Sequence, residues 1–174
     1  MKGKRTRFIL LLLWAVLAAA VPSWARDGLS PAGKLFMKDA ASIDQMEIQL
    51  GQLAREKGTS QEVKDFGDKM VLDHANANDE LKAIAGGNNL KLPRQVERKH
   101  RVTIVRLSKL SGIEFDRNYL LAVVKSHSRN ILRLKKAMKD LDDQELKAWG
   151  ARYLPILEQH LRHARDLMQN FARL

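Results

Sequence analysis

The residues of this chain best placed to do chemistry are a glutamate and three histidines that interrupt the apolar faces of amphipathic stretches. Between Glu62 and Ala85, Val63, Phe66, Met70, Ala77, Leu81 and Ile84 recur at helical spacing, with His74 as the polar residue on their centre line. At 100° per residue, His74 lies about 20° from the direction of Val63 and Leu81, where a core leucine would stand. The same interruption recurs three times. Glu47 stands among Phe36, Ala40, Ile43, Leu50, Gly51 and Ala54, and His127 among Leu120, Val123, Val124, Ile131, Leu134 and Met138. His160 stands among Leu146, Trp149, Tyr153, Ile156, Ala164, Leu167 and Phe171.

One carboxylate and three imidazoles suit a divalent transition metal, Zn²⁺, Cu²⁺, Fe²⁺ or Mn²⁺, and the set alone does not choose among them. A buried charge costs several kcal/mol unless paired, and a cation satisfies all four groups at once. Asp73 is about 80° off the stripe of His74, placed to accept from a ligating imidazole or to act as an extra ligand. The same residues can also satisfy one another as a metal-free buried polar network, and the sequence leaves both readings open. His100 and His163 are weaker candidates: His100 belongs to a connecting segment, and His163, one turn past His160, reads as solvated.

Four long helices must position these side chains. Ser30-Pro31 is a helix start, Ser as N-cap and Pro at the first helical position, and the helix it opens runs to Lys57 ahead of Gly58. Thr59-Ser60-Gln61-Glu62 has capping-box spacing for the second helix, which ends at Gly86-Gly87-Asn88-Asn89. Leu92-Pro93 begins a connecting helix of about 18 residues, long enough at 1.5 Å per residue for about 27 Å. Ser111-Gly112-Ile113-Glu114 then opens a helix to Leu141, and a last one follows Asp142-Asp143, with Pro155 expected to kink it one turn before His160. With no strand-like alternation, this is an all-α four-helix bundle with a short crossover helix between helices two and three, which makes those two parallel. Glu47, His74, His127 and His160 fall about 21–25 Å into helices of about 40 Å, so they share one level at mid-bundle.

Residues 1–25 read as a secretory signal peptide: Lys2, Lys4, Arg5 and Arg7, an apolar run from Phe8 to Val21, and Ser23-Trp24-Ala25 before the cut. The apolar run falls short of the roughly 20 residues of a membrane span. Residues 26–174 form one domain, exported to the periplasm or beyond, with outer-membrane association as an open alternative. Four of the 31 Lys and Arg lie in the leader, which leaves 27 against 20 acidic residues, a net +7. In that compartment the anionic partners are a membrane surface or lipopolysaccharide, not nucleic acid. Arg117, Lys125, Arg129, Arg133, Lys135, Lys136 and Lys139 form a basic ridge suited to such a surface, so a non-catalytic envelope interaction module is the alternative function. Zero cysteines exclude a thiolate site. A Gly-rich phosphate loop, a Ser-His-Asp order and paired acid/base carboxylates are absent.

Further residues carry a resemblance: Glu47 before Leu50-Gly51-Gln52-Leu53-Ala54, Val63-Lys64-Asp65-Phe66-Gly67 running into Met70-Val71-Leu72-Asp73-His74, Leu110-Ser111-Gly112 with Phe115-Asp116 and Tyr119, and Leu154-Pro155 before His160. Over Leu29 to Leu167 the chain resembles the exported ferritin-like family of unknown function often labelled putative outer-membrane or periplasmic proteins. The resemblance implies a ferritin-like bundle in the bacterial envelope and no particular reaction. A dinuclear iron site needs a Glu three residues before a His on two helices. Here those positions hold Val71, Val124 and Leu157, so ferroxidase chemistry is not expected.

Overall fold

The computed structural model describes residues 28–171. The expected signal peptide lies outside the described residues. Within them the protein is all-helical: α1 (Pro31–Lys57), α2 (Gln61–Gly87), α3 (Arg98–Ser108), α4 (Gly112–Asp140) and α5 (Gln144–Phe171). The starts follow local chemistry. Ser30 caps α1 by accepting from the Gly33 amide at 2.9 Å, with Pro31 just inside. For α2 the cap is Ser60, not the Thr59 of the capping-box spacing, and its hydroxyl accepts from the Val63 amide at 3.2 Å. The reason is tertiary: the Thr59 and Ser60 amides both donate to the buried Asp116 carboxylate of α4, at 2.9 and 3.2 Å. Ser111 precedes α4 as expected but makes no side-chain cap bond. α5 runs unbroken through Pro155.

These contacts also set the directions. The end of α1 meets the start of α4, since Lys57 Nζ donates to the carbonyls of Ser108 and Leu110, while Asp116 ties α4 to the start of α2. Ser30 meets Asp143, so α1 and α5 begin at the other end. α2 and α4 therefore run parallel, as the crossover predicts. The crossover itself differs: α3 has 11 residues and begins at Arg98, five residues beyond Pro93. A helix of about 27 Å is too short for a body of about 40 Å, and extended chain covers the remainder at about 3.3 Å per residue. That stretch is held in place, with Gln45 Nε2 donating to the Pro93 carbonyl at 2.6 Å and the Glu97 amide donating to Ser42 Oγ at 2.9 Å.

α1 and α2 approach closely at Gly51 and Gly67. A Cβ on Gly51 would stand 2.6 Å from the Gly67 carbonyl oxygen, and one on Gly67 2.7 Å from that of Gly51. Two apolar clusters fill the interior. One joins Leu50, Phe66, Met70, Phe115, Tyr119 and Val123; the other joins Met37, Leu81, Ile131, Leu134, Trp149 and Leu157. Each such large side chain contributes roughly 1.5–3 kcal/mol by its burial. Between Met70 and Ala77, Val123 and Ile131, Leu157 and Ala164, the chain places His74, His127 and His160, a polar layer separating the two clusters.

Candidate metal centre

His74, His127 and His160 come from α2, α4 and α5 and are fully buried. Their ring centroids form a near-equilateral triangle with sides of 5.4, 5.6 and 5.4 Å, and one candidate ligand atom from each lies within 4.8 Å of the others. Each ring is anchored on its outward side. His74 Nδ1 lies 2.9 Å from Asp44 Oδ1 and 2.6 Å from the Tyr153 hydroxyl, which itself donates to Asp44 at 2.9 Å. His127 Nδ1 donates to the Val123 carbonyl at 3.1 Å. His160 Nε2 lies 2.8 Å from Asp73 Oδ2.

Two of these partners fix tautomers. A carbonyl only accepts, so His127 carries its proton on Nδ1. Burial alone would raise Asp73, but Lys69 and His160 hold it below its ordinary value; it is a carboxylate that only accepts, and His160 carries its proton on Nε2. Burial keeps His74 and His127 well below the usual histidine range, with neighbouring imidazoles adding to the effect, and also lowers His160 against the pull of Asp73. The rings are thus neutral, and His127 and His160 turn bare lone pairs inward. His127 Nε2 and His160 Nδ1 face each other at 3.3 Å with no proton between them, and His74 Nε2 is buried without a hydrogen-bond partner. Two ligands of a tetrahedral ion with bonds of 2.0–2.1 Å stand about 3.3 Å apart, the same spacing.

Glu47 is fully buried on α1, yet it stands outside the triangle, with Oε1 3.9 Å from the outward Nδ1 of His127. Neither of its oxygens has a hydrogen-bond partner. Burial pushes its carboxyl up to about 8, helped by Asp44 and opposed by Ser126 and Arg129. Asp44 is raised well above its ordinary value by burial, against the hydrogen bond from Tyr153. Each imidazole therefore has a carboxyl on its outer side: Asp44 for His74, Asp73 for His160, and Glu47 for His127, where the Val123 carbonyl takes the bond.

A family model described as a domain of unknown function (DUF4142) matches residues 18–167. The chain belongs to the DUF4142 family. No curated protein and no solved structure matches it. The match spans every residue of this DUF4142 centre. Asp44 and Tyr153 are the members that the sequence reading did not single out. Asp44 precedes Glu47 by three residues on the same side of α1, a second polar interruption of that stripe, and Tyr153 precedes His160 by two turns. Asp39, Glu97 and His100 of this DUF4142 chain also cluster within 4.8 Å, but Lys99 and Arg133 are ion-paired to Asp39, which makes this an ion-pair knot and not a cation site. His163 is exposed and packs edge-on against Phe66 at 4.8 Å. Among the described residues no helix is long and apolar enough to cross a membrane.

Proposed function

We propose that this chain is an exported, ferritin-like periplasmic protein that holds one divalent transition-metal ion, Zn²⁺, Cu²⁺, Fe²⁺ or Mn²⁺, at His74, His127 and His160, and serves in metal handling or envelope stress. The observation that carries the reading is that His127 Nε2 and His160 Nδ1 face each other at 3.3 Å while the other nitrogen of each ring meets an outward acceptor. Two lone pairs in a dry core repel, and a cation turns that repulsion into two bonds. Outer acceptors on the far side of each ring are the arrangement that fixes ligand tautomers and raises ligand basicity at metal sites. Asp44 and Asp73 take that part here, and Glu47 supplies negative charge beside His127 once it ionises. Three protein ligands leave a fourth position for water or a rotated Glu47.

The ferritin-like assignment is supported by two helical hairpins joined by one long connection, with α2 parallel to α4. Export is supported by the leader read in residues 1–25. With Val71, Val124 and Leu157 in place of bridging carboxylates, the reading is a single-ion binder, not a ferroxidase.

Elemental analysis of protein purified without a histidine tag, stripped, and reloaded with each of the four ions tests this. About one equivalent of at least one ion is expected, lost in His127→Gln and His160→Gln; under about a tenth of an equivalent for all four overturns the proposal.

A further inference from the structure

A second feature lies on a different face of α4 from the one that carries His127. A cavity of 290 Å³ opens between α1, α3 and α4, and its lining includes Lys99, Arg106, Lys125, Arg129 and Arg133 with no carboxylate. Lys99 and Arg133 are both paired to the buried Asp39, which fixes them at one end of the cavity. Their charge is largely spent there. The other three are not spent in this way: Arg106 donates only to the neutral Asn118 amide, and Lys125 and Arg129 make no hydrogen bond or ion pair with the described residues. Farther along α4, by contrast, Lys135 and Lys136 are neutralised by Glu158 and Asp140. Lys125 and Arg129 of the basic ridge thus stand at a concave place, joined by Arg106 of α3, which a reading of α4 alone does not include.

We propose that this cavity binds the phosphate group of an organic phosphate monoester. Two guanidinium forks and an ammonium lining one space that contains no carboxylate match a dianion with several acceptor oxygens better than a monocarboxylate. The wall beneath is apolar, formed by Ile43, Met46, Leu50 and Ala122, and takes the organic part of the ligand. His100 borders the same space, with its Nε2 turned to Asp39 Oδ1 at 3.5 Å. The volume sits just under the range of small-molecule sites, which limits the bound portion to a phosphate and a small organic group. That group belongs either to a soluble ester or to the headgroup of an anionic lipid.

The test uses the full protein stripped of metal, so that it is independent of the histidine site. Calorimetric titration with phenyl phosphate and with inorganic phosphate, at constant ionic strength, should give one saturable site with phenyl phosphate bound about tenfold tighter. Arg129→Gln and Lys125→Gln should each weaken phenyl phosphate about tenfold, and Arg117→Gln, on the same helix but outside the cavity lining, should leave it unchanged. Co-sedimentation with phosphatidic acid vesicles, lost in the same two variants, identifies the source as a lipid headgroup; soluble binding without vesicle binding identifies a soluble ester. No saturable binding of either soluble phosphate or vesicles, or binding that Arg129→Gln and Lys125→Gln leave intact, overturns the proposal. Metal loading of Lys125→Gln should match the parent protein, which separates failure here from failure of the metal reading.

Discussion

Replacing Glu47 by Gln keeps the volume and shape of the side chain and removes its titration. In the folded protein the Glu47 carboxyl is pushed up to about 8, while in an unfolded chain it titrates near 4.3. The native state therefore holds a proton that the unfolded state has lost. A raised folded value means that the full stability is present below about pH 4.3 and is lost as pH rises toward about 8. The loss runs at about 1.4 kcal/mol per pH unit, approaching about 4 kcal/mol at pH 7 and about 5 kcal/mol above pH 8. The Glu47→Gln protein is free of that loss over the window, and the histidines and Asp44 are common to both proteins, so the pH-dependent difference reads the Glu47 charge together with its coupling to Asp44. Urea unfolding of the two metal-stripped proteins at about pH 5, 6, 7 and 8 reads the difference. The advantage of Glu47→Gln should grow steadily with pH and level off above 8. A gap that stays constant from pH 5 to pH 8 shows that Glu47 is already ionised in the core, and it refutes the account of an uncompensated buried carboxyl.

Two further outcomes follow from the packing and the outer acceptors. Asp73→Asn leaves His160 Nε2 beside a neutral amide in place of a carboxylate at 2.8 Å; metal affinity, measured by competition with a chelator, should fall about 10–100-fold. Unchanged affinity removes Asp73 from the centre. Gly67→Ala places a methyl 2.7 Å from the Gly51 carbonyl oxygen and 2.8 Å from Ala54 Cβ, and should destabilise the protein by about 1–3 kcal/mol in urea unfolding, with Gly86→Ala, which meets nothing, as the control.

Helical spacing carried the sequence reading as far as faces and levels. The convergence of His74, His127 and His160 follows from their shared depth and from stripes that leave no other direction for them. What spacing does not carry is which edge of a ring a neighbour meets. Glu47 lies on the correct face of α1 at the correct level, yet a helical wheel resolves directions only to a few tens of degrees, and that suffices to move its carboxyl from the centre of the triangle to the outer edge of His127. Asp44 escaped notice for a related reason: a short acid next to Ile43 reads as the border of a stripe, and its role depends on Tyr153, 109 residues away. The start of α3 was illegible because tertiary bonds from Gln45 and Ser42 hold residues 93–97 out of helix. Propensity alone does not register such bonds.

The position of the polar layer is itself an argument about its purpose. A fold needing only stability would fill that level with leucine, because three neutral imidazoles, two raised carboxyls and a tyrosine hydroxyl order a costly network where simple burial gives about 1.5–3 kcal/mol per large side chain. Here the network is incomplete in a specific way: the outward nitrogens are partnered, His74 Nε2 has no partner, His127 Nε2 and His160 Nδ1 have only each other, and burial raises the Asp44 and Glu47 carboxyls beside them. Gathering the ring lone pairs into one space, with latent negative charge around them, leaves a deficit that a single small cation fills.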